Sequence, residues 1–278
     1  MTNDQIPFER YRNGHVITVP VMVGDSVPTR FVLDTGIGVN LISTVLAQRL
    51  GYLPTGASAS GKRMSGQDVS TPLTRIASLS LGSVRKENVV AGMLDMAAFF
   101  PKGSGIDGFL SPRFFEPWPF AINSLTRTVR VEREPPRTFR PGLEVEVPIR
   151  VVRDGPAVTF FVDLRLPSDT RISVEVDTGS DQLILHSRFM NELGVNPDRP
   201  DVRKVEGTDE TGHSYTRYFA PVRGEVRMAE APSILQRDPA VMFQKIIYDG
   251  LVGDAFLRSY DVTYDLAGAR MILADPSA

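Results

Sequence analysis

No cysteine occurs among the 278 residues, which removes disulfides and thiolate metal sites and leaves the redox compartment open. Histidine is almost as scarce. His15, His186 and His213 lie far apart and lack the clustered spacing of a zinc site. A formal net charge of −2 and a pI near 6.0 give no electrostatic case for nucleic acid or an anionic membrane surface. Long apolar runs are missing too. The most apolar stretch, VVAGMLDMAAFF (89–100), is too short to span a bilayer and carries Asp95. The polar opening MTNDQIPFERYRNG has no secretory core. The expected location is therefore cytoplasmic if Met1 is the native start, and periplasmic or secreted if a leader was removed. Neither a G-x-S-x-G elbow nor a P-loop is present, and TGIGVN (35–40) lacks the third glycine of a dinucleotide fingerprint.

What is present is a pattern that occurs twice. VITVPVMVGDSVPTRFVLDTG (16–36) alternates short apolar runs with Gly24-Asp25 and Pro28, a strand, turn, strand pattern ending in Asp34-Thr35-Gly36. The triplet returns 143 residues later as Asp177-Thr178-Gly179. TVLAQRLG (44–51) aligns with SRFMNELG (187–194) at the same offset, each reading as a short helix with a hydroxyl N-cap and a glycine suited to end it. IDGFLSPRFF (106–115) and YDGLVGDAFL (248–257) follow at 142, as do PFAINSLTRTVRV (119–131) and DVTYDLAGARMIL (261–273). Four landmarks in one order predict a duplicated domain. The boundary falls at EREPPRTFRPG (132–142), whose three prolines read as a linker. The expected organisation is a first lobe over 1–134, a linker over 135–141 and a second lobe over 142–278. Strand signals dominate, so the expected class is mostly β, with one short helix per lobe and a turn of helix after each Asp-Gly.

A single DTG is most often an Asx-turn at the end of a strand. Two copies in equivalent places carry more. If the lobes pack about a pseudo-two-fold axis, the two loops meet there, and two adjacent carboxylates cannot both ionise easily. One then serves as general base on a water and the other, protonated, donates to a carbonyl oxygen.

In this pattern the chain resembles the aspartic proteases, and each lobe resembles the compact retropepsin-like unit. The likeness rests on hhh-DTG followed by an apolar strand, a helix ending in Leu-Gly, and a later Asp-Gly-h-h-Gly element. It implies a bilobal, pepsin-like arrangement of two β-barrel-like lobes, and an endopeptidase acting on peptides or proteins as a monomer. It also implies Asp34 and Asp177 as the catalytic dyad and a site that needs neither metal nor cofactor. Thr35 and Thr178 would brace the dyad from beneath, and Gly36 and Gly179 would form its turns. The competing reading is a silent peptide-binding or scaffold module that keeps the fold.

Two departures stand out. Ser180 follows the second triplet where Ile37 follows the first, and a hydroxyl at Ser180 would favour the charge on Asp177. Asp249-Gly250-Leu251-Val252-Gly253 is complete, whereas Asp107-Gly108-Phe109-Leu110-Ser111 has Ser where the family prefers Gly. Candidate flap hairpins are 61–72, with Ser65 and Gly66 near the tip, and 206–218, with Gly212, His213 and Tyr215. Each reads equally well as an ordinary exposed hairpin. Tyr215 is the candidate cleft aromatic, against the simpler expectation that it packs within its own hairpin.

Overall fold

The computed structural model describes residues 5–11, 14–133, 139–209 and 212–277. Strands take 52% of the chain and helices 7%, so the molecule is mostly β, as expected. Among the described residues no helix is long and apolar enough to cross a membrane. Residues 134–138, which include most of the linker expected over 135–141, lie outside the described residues.

In the first half, Val16–Val23 and Val27–Leu33 form an antiparallel hairpin closed at Gly24, whose φ of +63° suits a residue without Cβ. Val27–Leu33 then pairs in parallel with Gly108–Leu110, and Leu41–Ser43 adds antiparallel on the far side. The second half repeats this local order. Ala157–Arg165 pairs with Arg171–Val176, which runs parallel to Gly250–Val252, with Leu183–His186 antiparallel beyond. The strand ends that lead into the triplets, 31–33 and 174–176, are buried on both faces.

A six-stranded sheet draws equally on both halves, in the order Gln5–Pro7, Thr128–Val131, Phe120–Asn123, Asp261–Asp265, Arg270–Ala274, Glu144–Pro148. Its central pair joins Phe120 to Tyr264 and Ile122 to Val262, so the two pairings exchange under the 142-residue correspondence read from the sequence. Phe115, Phe120 and Tyr264 stack through this seam at 4.0 and 4.8 Å between ring centroids. One apolar core, with Ile17, Phe31, Phe160, Val174 and Phe243 fully buried, runs through both halves.

The first expected helix is present as Thr44–Arg49, capped by the Ser43 side chain and not by Thr44 itself, and Gly51 has a φ of +76° just beyond its end. Its counterpart is shorter than expected. Ser187–Phe189 is a single 3-10 turn capped by a histidine, His186, whose ring nitrogen accepts from the Arg188 amide at 2.9 Å. Both Asp-Gly elements are followed by helical turns, Pro112–Phe114 and Asp254–Leu257.

Candidate active site

Each triplet lies just past the C-terminal end of a buried strand, Val27–Leu33 or Arg171–Val176. The parallel neighbour holds it there. The Asp34 amide donates to the Leu110 carbonyl at 3.1 Å and the Asp177 amide to the Val252 carbonyl at 3.0 Å. Asp107 and Asp249 fix the same strands further back, accepting from the Arg30 amide at 3.4 Å and the Ser173 amide at 3.1 Å. Within each loop the carboxylate bends back to accept from its own glycine, Gly36 to Asp34 at 2.8 Å and Gly179 to Asp177 at 2.9 Å.

The two loops meet. The Thr35 amide donates to the Thr178 hydroxyl at 3.1 Å, and the Thr178 amide to the Thr35 hydroxyl at 2.9 Å. Each hydroxyl then donates onward across the junction, Thr35 to the Val176 carbonyl at 2.7 Å and Thr178 to the Leu33 carbonyl at 3.3 Å. Both threonines are essentially fully buried, at 0% and 2% exposed. The glycines make the approach possible. A Cβ on Gly36 would lie 2.6 Å from Asp177 Cγ, and one on Gly179 would lie 2.5 Å from Asp34 Oδ2.

Asp34 lies against Gly179 and Asp177 against Gly36, so each carboxyl perturbs the other's titration. Burial is the largest cause pushing both above the ordinary aspartate range, and the charge of Asp34 pushes Asp177 further. Backbone donors act against this unevenly. Gly36, Gly179 and Ile37 supply amides to Asp34, whereas Gly179 and Ser180 supply them to Asp177. The Ser180 hydroxyl, expected to hold the charge on Asp177, is not among these donors. The reason is that Ser180 faces Asp177 through its amide, and Ile37 does the same for Asp34.

An aspartyl protease family model matches residues 19–113. The matched stretch contains Asp34-Thr35-Gly36, Asp107-Gly108 and Ser111, and supports an aspartic protease family for this part of the chain. Asp177 lies beyond it. No curated protein matches the chain.

The departure at Ser111 has a local answer. Its side chain is wholly buried, and both its amide and its hydroxyl donate to Asn40 Oδ1, at 3.0 and 3.3 Å. At the equivalent Gly253 a Cβ would stand 2.6 Å from the Ser180 carbonyl oxygen and 2.7 Å from that of Gln182. Only the first half has room for a side chain there.

The hairpin of Pro54–Lys62 and Asp68–Leu81 turns at Arg63–Gln67, with Gly66 at a φ of +85°. Its tip touches the second half of the chain. The Met64 carbonyl accepts from the Ile247 amide at 2.9 Å, and the Met64 side chain packs with Ile184, Leu251 and Tyr248. Ser65 Oγ is buried there without a hydrogen-bond partner. The other hairpin, Arg203–Thr208 with Ser214–Pro221, comes near enough for Asp209 to face Arg63 at 3.8 Å. Its tip residues Gly212 and His213 are exposed. Tyr215 packs within its own hairpin, its ring under Arg217 at 3.8 Å and its hydroxyl against Gly207.

One group beside the dyad was not singled out from the sequence. Glu175, two residues before Asp177, is 5% exposed, and burial together with the charges of Asp177 and Asp34 holds its carboxyl well above the usual range. Its signal was present, since it is the one charged residue in the run VEV where the first half reads FVL. Among the described residues no group of three His, Asp or Glu side chains is placed to hold a metal ion.

Proposed function

We propose that the protein is an aspartic endopeptidase built from two retropepsin-like lobes in one chain, over 1–134 and 142–278, with Asp34 and Asp177 as its dyad. The observation that carries this reading is the reciprocal Thr35–Thr178 bonding, which holds the two DTG loops together with each carboxyl against the other loop's glycine. A structural Asx-turn needs no such partner.

Asp34 in its charged form takes a proton from a water held between the two carboxyls, and the water oxygen attacks the scissile carbonyl carbon. Asp177 gives its proton to the carbonyl oxygen as the tetrahedral diol forms. Collapse of the diol breaks the C–N bond, the proton held by Asp34 passes to the leaving amine, and a diol hydroxyl returns its proton to Asp177 as the new carboxyl forms. Two carboxyls and one water complete the cycle, without an acyl-enzyme. An extended peptide would bind by strand pairing beneath the hairpin tip at Arg63–Gln67, which would lift to admit it and close to exclude water.

The test is digestion of a randomised peptide mixture at pH 3 to 7, read by mass spectrometry, beside Asp34→Asn and Asp177→Asn. Cleavage by the wild type that disappears in both variants supports the reading. Peptide binding without cleavage by the wild type would favour the silent scaffold instead.

A further inference from the structure

Glu175 occupies a definite row of the second-half sheet. Its register partners are Phe161 on one side and Leu251 on the other, and Leu251 pairs in turn with Ile184. Directly paired residues share a face of the sheet, so this carboxylate stands between apolar neighbours, in a row whose outer member is Arg150, the other partner of Phe161. Val174 and Val176, on the opposite face, belong to the main core. The row faces the other way, towards Tyr248 and the hairpin-tip residue Met64, which pack with Leu251 and Ile184. Phe161 meets the Tyr248 ring edge-on at 5.2 Å.

The equivalent row of the first half is different. Val32 pairs with Phe109, which pairs with Leu41, and all three belong to an apolar cluster with Met96 and Phe100. Where the first half has Val32, the second has an acid.

That acid has no partner of its own. Among the described residues no hydrogen-bond donor and no basic side chain reaches the Glu175 carboxylate. The charged and titratable groups that face it are Asp177, Asp34 and Tyr248, and none of these is a cation. Arg150 stacks on the neighbouring Phe161 ring at 4.3 Å and makes no ion pair with Glu175. A buried carboxylate is normally paired, because an unpaired one loses its hydration without return. Here it also stands against the charge of the dyad, so its charged form would be stabilised by a positive partner, which no described residue supplies.

We propose that Glu175 forms the acidic end of a substrate subsite on the second-half wall, which takes a lysine or arginine side chain of the peptide next to the scissile bond. This rests on the dyad reading, since the adjacency to Asp177 is what sets the subsite beside the bond being cut. The long aliphatic stem of the basic residue lies along Phe161, Leu251 and Tyr248, and its charged head meets Glu175. The Val32 side of the cleft takes an apolar residue. Selectivity depends on pH. The carboxyl of Glu175 is raised by burial and by its anionic neighbours, so it is neutral in acid, and the preference for a cation grows as pH rises through its titration.

The test uses randomised peptide libraries with arginine, leucine or glutamate fixed at either position flanking a common cleavable bond, offered to wild type, Glu175→Gln and Glu175→Leu. Thermal unfolding of each variant checks that it is folded. The wild type is expected to cut the arginine library about 10-fold or more faster than the leucine library at one flanking position. That ratio should fall towards one as the solution is acidified. Glu175→Leu is expected to reverse it while still cutting the leucine library. An unchanged ratio in both variants, or a wild type that prefers leucine at both positions, overturns the proposal. If the wild type cuts no library, the dyad reading has failed, and retention of the arginine and leucine libraries on immobilised wild type and Glu175→Leu decides the subsite. Equal retention then sinks it, and arginine retention lost in Glu175→Leu upholds it.

Discussion

Thr35 and Thr178 each donate a backbone amide to the other's hydroxyl, at 3.1 and 2.9 Å, from positions 143 residues apart in sequence. Both hydroxyls are also donors to carbonyls across the junction, so both amides and both hydroxyls of this knot are used. Thr→Val at either position keeps the shape and removes the hydroxyl, leaving a buried amide and a buried carbonyl unpaired. The expected cost is about 1–3 kcal/mol in chemical denaturation, whereas Thr→Ser costs less because the hydroxyl is retained. A Thr35→Val protein as stable as wild type would show that the knot does not hold the halves together.

Gly253 and Ser111 occupy equivalent positions and should respond unequally to exchange. Gly253→Ser drives a Cβ to within 2.6 Å of a backbone oxygen, and is expected to destabilise by about 1–3 kcal/mol or more. Ser111→Gly creates no clash and removes only the hydroxyl bond to Asn40, a loss on the order of 1 kcal/mol. Unfolding midpoints of the two variants measure the contrast, and equal losses would contradict it.

The buried carboxyls set a pH trend. Glu175 has a folded-state pKa raised above its ordinary value of 4.5, so its contribution to stability is full below that value and is lost as pH rises through the folded pKa. Glu175→Gln removes the penalty. Its melting temperature is expected to match wild type in acid and to exceed it increasingly towards neutrality. A melting-temperature difference that does not change with pH would mean that folding does not shift the titration of Glu175.

At the hairpin tips, Arg63 faces Asp209 at 3.8 Å, with Asp209 only 9% exposed by side chain, and the Ile247 amide donates to the Met64 carbonyl. Arg63→Glu places two carboxylates together at this junction. Hydrogen exchange of the Ile247 amide is expected to quicken several-fold, a loss of about 1 kcal/mol of closing free energy. Exchange at wild-type rate would show that the ion pair does not help hold the tip down.

Much of this was legible in the chain. The repeated DTG singled out Asp34 and Asp177, and the dominance of strand signals anticipated a mostly β chain. What the sequence did not reveal depends on contacts between distant segments. Ser180 suggested a hydroxyl bond to Asp177, yet orientation in the loop presents its amide instead. The helix expected over 187–194 shrank to one 3-10 turn because His186, not a hydroxyl, caps it. The shared sheet was also missed, since Gln5–Pro7 and Glu144–Pro148 are short, carry prolines, and gain strand geometry only from their partners. Glu175 was passed over because an acid in an apolar strand shows its place only once its row of neighbours is known.

The most direct test of a proton-sharing pair is non-additivity. Measure kcat/KM on one cleaved peptide for wild type, Asp34→Asn, Asp177→Asn and the double variant. Groups that act as a unit are lost as a unit, so each single substitution should cost about 10³-fold or more, and the double should cost no more than the worse single. A single variant that keeps a tenth or more of wild-type activity, or a double whose loss is the product of the two singles, would contradict the dyad.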